Sequence, residues 1–211
     1  SGVPVEGELR RVAAVLADFH ARAERSAAAD RCADRDALAR RWADNTAGFA
    51  PYAGDVVDAG EVAAVDALAA RYLAGRRPLV DSRIVACRAV DGHGDLLADD
   101  IFCLDDGPRI LDCLEFDDDL RYEDVLADAA FLAMDLERLG RPDLGALFLE
   151  TYRQHSGDRW PAAHAHHHIA YRAQVRAKVA AIRAGQGDAP SVDAARALLG
   201  ICRRHLEAAR V

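Results

Sequence analysis

The residues best able to do chemistry lie between Asp91 and Glu115, in the run DGHGDLLADDIFCLDDGPRILDCLE. Asp95 follows a turn flanked by glycines, Asp100 comes five residues later at the start of an apolar run, and Asp112 stands near the end of a second. Ile101 to Leu104 and Arg109 to Cys113, joined by Asp105, Asp106, Gly107 and Pro108, carry the apolar content and turn residues of a β-hairpin. A short hairpin puts the start of its first strand beside the end of its second. Asp100 and Asp112 can therefore share a divalent cation while Asp95 projects from the preceding loop toward the same pocket. Two carboxylates on one cation, with a third to orient a hydroxyl, make the set that phosphoryl transfer from a nucleotide requires.

A second cluster is His164, His166, His167 and His168. Positions 164 and 168 share a helical face, a spacing that can hold a metal, but the H-E-x-x-H pattern is absent. The expected reading is a helix surface turned to solvent or to an acidic cleft. The five cysteines are scattered without C-x-x-C spacing, so they predict neither disulfides nor a zinc knuckle and fit a reducing, cytoplasmic setting.

The charge is concentrated where the hairpin is. The net charge is −8. Between Asp91 and Asp128, however, twelve Asp and two Glu face only Arg109 and Arg121, a local net of −12, so the remainder sums to +4. This excludes a general nucleic-acid or anionic-membrane binder and leaves a place where cations gather, or a solvated acidic loop. No apolar run is long enough for a membrane span.

The elements that must position these acids are helical. Leu9, Val12, Leu16 and Phe19 recur at helical spacing in a helix from Glu8 to Arg25, and further helices carry Trp42, then Val62 to Tyr72, then Leu79 to Val90 after Pro78. Beyond the hairpin, helices are expected over Asp124–Leu139, Asp143–His155, Pro161–Ala184 and Ser191–Ala209, with Ser191 as an N-cap. Asp124 and Asp128, in a first helical turn, are accounted for by the helix dipole. With 45 alanines in 211 residues, the packing is of small side chains, and the length predicts one domain. The fold class is mainly α with a small β-hairpin.

The ordered series DGHGDL from Asp91, the hairpin, DCLEF from Asp112, DAAFLAMDL from Asp128 and YRAQVRAKV from Tyr171 resembles the aminoglycoside phosphotransferase-like kinases, in particular a bacterial branch of that family. The resemblance implies the helical C-lobe of the protein kinase-like fold over 1–211, with the catalytic loop and hairpin at 91–116. It implies that Asp95 takes or orients the proton of an acceptor hydroxyl, that Asp112 and Asp100 hold magnesium for ATP, and that His93 fixes the loop. Glu115, Tyr171 and Arg172 would be on the substrate side. Asp100 stands where such kinases usually carry Asn, which adds a negative charge at the metal.

The N-terminal lobe of such kinases, with its strands, phosphate loop and Lys, has no counterpart here. The one Lys, Lys178, falls in a late helix. The resemblance therefore implies that the chain works with an N-terminal lobe or attached domain and is inactive in isolation, its partner being a small-molecule hydroxyl acceptor such as a sugar or aminoglycoside-like compound. The competing reading is a non-catalytic, kinase-like binding or regulatory module.

Overall fold

The structure is a computed structural model that describes residues 4–210. It is mainly helical with two small antiparallel sheets. Where the length suggested one domain, the chain forms two compact units: residues up to Ala33 with Ser82–Trp160, and Asp34–Asp81 with the residues from Pro161 onward. The chain changes unit between Ala33 and Asp34, between Asp81 and Ser82 inside a helix, and between Trp160 and Pro161, and no extended linker marks these points.

In the first unit, α1 (Val5–Arg22) buries Leu9, Val12, Ala13 and Leu16, and α2 (Ala27–Ala33) packs Ala29 and Ala33 on a strand residue, Ala89. The chain returns to this unit through α5 (Arg77–Val85). That helix stops short of the expected Val90 because Cys87 takes φ 55°, a left-handed reversal no helix tolerates. Instead β1 (Ala89–Asp91) pairs with β4 (Tyr122–Asp124), in the register Ala89↔Asp124 and Asp91↔Tyr122. The hairpin is β2 (Ile101–Leu104) with β3 (Gly107–Ile110), pairing Ile101↔Ile110 and Leu104↔Gly107.

The second hairpin strand was expected to reach Cys113. It ends earlier because Asp112 leaves the extended region at φ 61°. One further bond, from the Leu111 amide to the Asp100 carbonyl at 3.0 Å, closes the open end. A four-residue helix, α6 (Asp118–Arg121), precedes β4.

Two longer helices complete the unit, α7 (Val125–Arg138) and α8 (Pro142–Ser156). Every residue of α7 from Val125 to Leu136 is buried, including Asp128 and Asp135. A β-carbon on Gly145 of α8 would stand 2.9 Å from the Ala133 carbonyl, so glycine is what lets α8 lie this close to α7. At the start of α7 the Arg83 guanidinium forms a buried double fork: Nε and an Nη bond Asp124 at 2.7 and 2.6 Å, and both Nη atoms bond Asp158 at 2.7 Å. Burial pulls the Arg83 pKa down, but the two carboxylates outweigh it and hold it above its ordinary value.

The second unit contains α3 (Arg35–Ala47), capped by the Asp34 carboxylate on the Ala37 amide, then α4 (Ala59–Ala74), α9 (Ala162–Gly185) and α10 (Pro190–Ala208). The short connection after Gly185 sets α9 and α10 antiparallel, and they pack along their length. Ser191 is not the N-cap: Pro190 opens α10, and the Ser191 hydroxyl bonds the Asp188 carboxylate. The histidines correct another expectation. His164, His167 and His168 are 1–2% exposed, and only His166, paired to His205 at 2.8 Å, is partly open. No helix among the described residues is long and apolar enough to cross a membrane.

Arg83→Met leaves the buried Asp124 without its cation and Asp158 with Arg88 alone, at 3.2 Å, and a loss of about 3–5 kcal/mol is expected in urea unfolding. A loss below about 1 kcal/mol would show that the fork is not what ties the start of α7 to Asp158.

Candidate functional site

The candidate site occupies the loop from Gly92 to Asp100 and the open end of the hairpin. It is built from α7. The Asp128 carboxylate, wholly buried, accepts the backbone N–H groups of His93 at 2.6 Å and Gly94 at 2.8 Å, and its Oδ2 also meets His20 Nε2 at 3.1 Å. His20 in turn meets the Tyr152 hydroxyl at 2.7 Å through Nδ1. Seven residues along α7, and so on the same face, the buried Asp135 accepts the Ala98 amide at 3.0 Å and the Arg138 Nε at 2.6 Å. One rigid helix thus holds both ends of the segment carrying Asp95, while Leu96 plugs the core between them.

The two glycines of the run have separate reasons. A β-carbon at Gly92 would stand 2.6 Å from Asp128 Oδ2, so only glycine lets the carboxylate reach the loop amides. Gly94 takes φ 83°, and a β-carbon there would press on Arg121 and Leu114 at 3.2 Å. Beside them, Arg121 forks onto Asp91 at 2.8 and 3.1 Å and donates to the Leu114 carbonyl at 2.9 Å. His93 Nε2 meets the Leu111 carbonyl at 3.0 Å, and the Leu114 amide donates to the His93 carbonyl at 3.0 Å. The loop is therefore stitched to the segment that carries Asp112.

This places Asp95, Asp100 and Asp112 in one electrostatic neighbourhood. The Asp100 carboxyl is pushed up from its ordinary value first by partial burial, then by Asp112, Asp95 and Asp99, with His93 opposing. Asp95 and Asp100 are half-buried and Asp112 is exposed, so all three keep a side toward solvent. A cavity of about 810 Å³ opens beside Asp112, walled by Phe19 and Leu16 of α1, Ile110, Leu111 and His93. That is the volume of a small-ligand site. Across the hairpin turn, Arg11 of α1 donates to the Leu104 and Asp105 carbonyls at 3.3 and 3.2 Å, anchoring the far end.

Of the other expected residues, Glu115 is exposed just beyond Leu114. Tyr171 and Arg172 belong to the second unit, where Arg172 is buried with its guanidinium 5.9 Å from the Tyr171 ring centroid. The loop-clamping roles of Asp128, expected only as a helix-dipole residue, and of Asp135 and His20 correct the reading from sequence. The available signal was two acids seven residues apart in an otherwise apolar helix, a burial that only hydrogen bonding makes affordable.

No family model matches the sequence, and no solved structure matches it. A protein of Mycobacterium tuberculosis and one of Mycobacterium bovis, both named as uncharacterized, are each 48% identical to the chain over 212 residues, covering 100% of it. The chain spans 42% of the length of these relatives.

Burial raises the Asp128 carboxyl, but its bonds to His20, Glu123 and the His93 amide outweigh that and hold it below the usual carboxylate range. A depressed folded value means that its stabilisation is full above the ordinary value of 3.8 and is lost as pH falls below it. Asp128→Ala is expected to cost about 3–5 kcal/mol at neutral pH and to flatten the loss of stability below pH 3.8, read from urea midpoints against pH. Gly92→Ala, which drives the carboxylate off the loop, is expected to cost about 1–3 kcal/mol.

Proposed function

We propose that the chain is the helical lobe of an aminoglycoside phosphotransferase-like kinase that transfers phosphate from ATP to a hydroxyl of a small molecule, with Asp95 as the catalytic residue. The observation that carries this reading is the clamped loop. Asp128 and Asp135 hold the backbone on both sides of Asp95, and the hairpin closes Asp100 and Asp112 onto the same neighbourhood. Such transfer leaves little covalent chemistry to the protein, so a carboxylate held at fixed position and a nearby acidic cation site are the parts it needs.

Asp95 accepts the proton of the acceptor hydroxyl, or orients it, as the oxygen attacks phosphorus. Its loop cannot drift, because the amides before and after it are bound to one helix. Asp100 and Asp112 are hard oxygen donors open to solvent, a donor set that suits magnesium. Bound there, magnesium would neutralise phosphate charge and orient the nucleotide. Asp100 adds one more negative charge than an amide would, which strengthens cation attraction and increases repulsion when no cation is bound. The walls of the cavity beside Asp112 give an apolar seat for a small ligand. A nucleotide-binding lobe contributed by an N-terminal or attached domain completes the site, and the 211 residues alone are expected to bind ATP weakly.

Magnesium titrated into the chain and followed by amide NMR is expected to shift residues around Asp100 and Asp112, a response that Asp112→Asn abolishes. In the longest native chain that contains this segment, Asp95→Ala is expected to lower ATP-dependent phosphorylation of hydroxyl acceptors by roughly 10²–10⁴-fold. Unchanged turnover in that variant would overturn the assignment of Asp95.

A further inference from the structure

The geometry points to a transition-metal site in the second unit, held by His164, His167 and His168 and suited to zinc. All three project from one face of α9 at i, i+3 and i+4, all are buried, and one ring nitrogen from each lies within 4.8 Å of the others. This inference is independent of the phosphotransferase reading.

One pair already has the spacing of the ion's ligands. His164 Nε2 and His168 Nε2 stand 3.3 Å apart. Two nitrogens bound tetrahedrally to zinc at roughly 2.0–2.1 Å are themselves about 3.3–3.4 Å apart, so this pair already has a zinc-ligand separation, and the full set, spanning up to 4.8 Å, draws together on binding. The outer nitrogen of His164 is already oriented. The Tyr72 hydroxyl meets His164 Nδ1 at 3.2 Å, which turns Nε2 inward, the role a metal ligand's supporting partner plays. Tyr72 also stacks flat on the His167 ring, with centroids 4.4 Å apart.

His167 supplies the third donor. Its Nε2 accepts the Trp42 indole N–H at 3.0 Å, which leaves Nδ1 carrying the proton of the neutral ring. That Nδ1 is buried and has no hydrogen-bond partner among the described residues, so no existing bond holds it from an ion once its proton has moved to Nε2. A set made of neutral imidazoles, with no carboxylate in it, favours zinc over magnesium or calcium.

The proton balance follows from these bonds. On coordination, the proton held between His164 and His168 passes to an outer ring nitrogen, and the His167 proton passes from Nδ1 to Nε2. No net proton is lost, but the Trp42 N–H then faces an N–H and its bond to His167 breaks. Trp42 is therefore a built-in reporter, with Trp160 of the first unit as the internal reference.

The test is a zinc titration of the 211-residue chain by calorimetry, with the two indole N–H signals followed by NMR and assigned with Trp42→Phe. One zinc per chain is expected, with the Trp42 signal moving and that of Trp160 still. His164→Asn, His167→Asn and His168→Asn should each weaken binding by about tenfold or more, whereas His205→Asn should bind as the parent does. Should the buried variants fail to fold, cobalt(II) added to the parent chain is expected to give the visible bands of a tetrahedral nitrogen site, which zinc erases. No saturable binding at submillimolar zinc, an unmoved Trp42 signal at saturation, folded variants that bind as tightly as the parent, or cobalt without tetrahedral bands would each overturn the site.

Discussion

Two buried carboxylates on one helix, Asp128 and Asp135, govern the first unit. Buried charge without partners is prohibitively costly, so each must find hydrogen bonds, and the partners they find are backbone amides of a single loop. Other features there follow from that requirement. Gly92 is glycine because the Asp128 carboxylate approaches too closely for a β-carbon. His20 and Tyr152 continue the network from α1 and α8, so the loop is tied to the helix packing rather than merely resting on it.

For the proposed role of Asp95 the consequence is positional. A loop would ordinarily let Asp95 sample many places, and general acid–base chemistry gains little from a group that wanders. Here the amides flanking Asp95 are bound two helical turns apart on a rigid element, and the segment carrying Asp112 is stitched to the same loop through His93 and Leu114. The acidity that looked like composition is arranged in two ways. Asp91, Asp124, Asp128 and Asp135 are spent on Arg121, Arg83, His20, Arg138 and backbone amides, while Asp95, Asp100 and Asp112 keep a side open to solvent.

Much of the fold was legible in the sequence. Helical periodicity located the long helices to within a few residues, and the Asp-Gly turn located the hairpin. What periodicity could not show was the strand pair β1–β4: each strand has three residues, too few to repeat a pattern, and a left-handed Cys87 that nothing in its residue type announces comes just before β1. The two-unit arrangement escaped for a related reason, since one crossing lies inside a helix and the others in short connections, none with a linker signature. In the site, the solvent-facing acids stood out by spacing, whereas Asp128 read as a helix-dipole residue because sequence does not reveal that its helix is buried on all sides. The histidines misled in the same way, reading as surface until Trp42 and Tyr72 from two other helices were seen to cover them.

Native-state hydrogen exchange of the His93 and Gly94 amides tests most directly whether α7 clamps the loop bearing Asp95. Both amides are expected to exchange only with opening of the first unit, as slowly as the interior amides of α7. Exchange of these two amides at the rate of an exposed loop, while α7 stays protected, would contradict it.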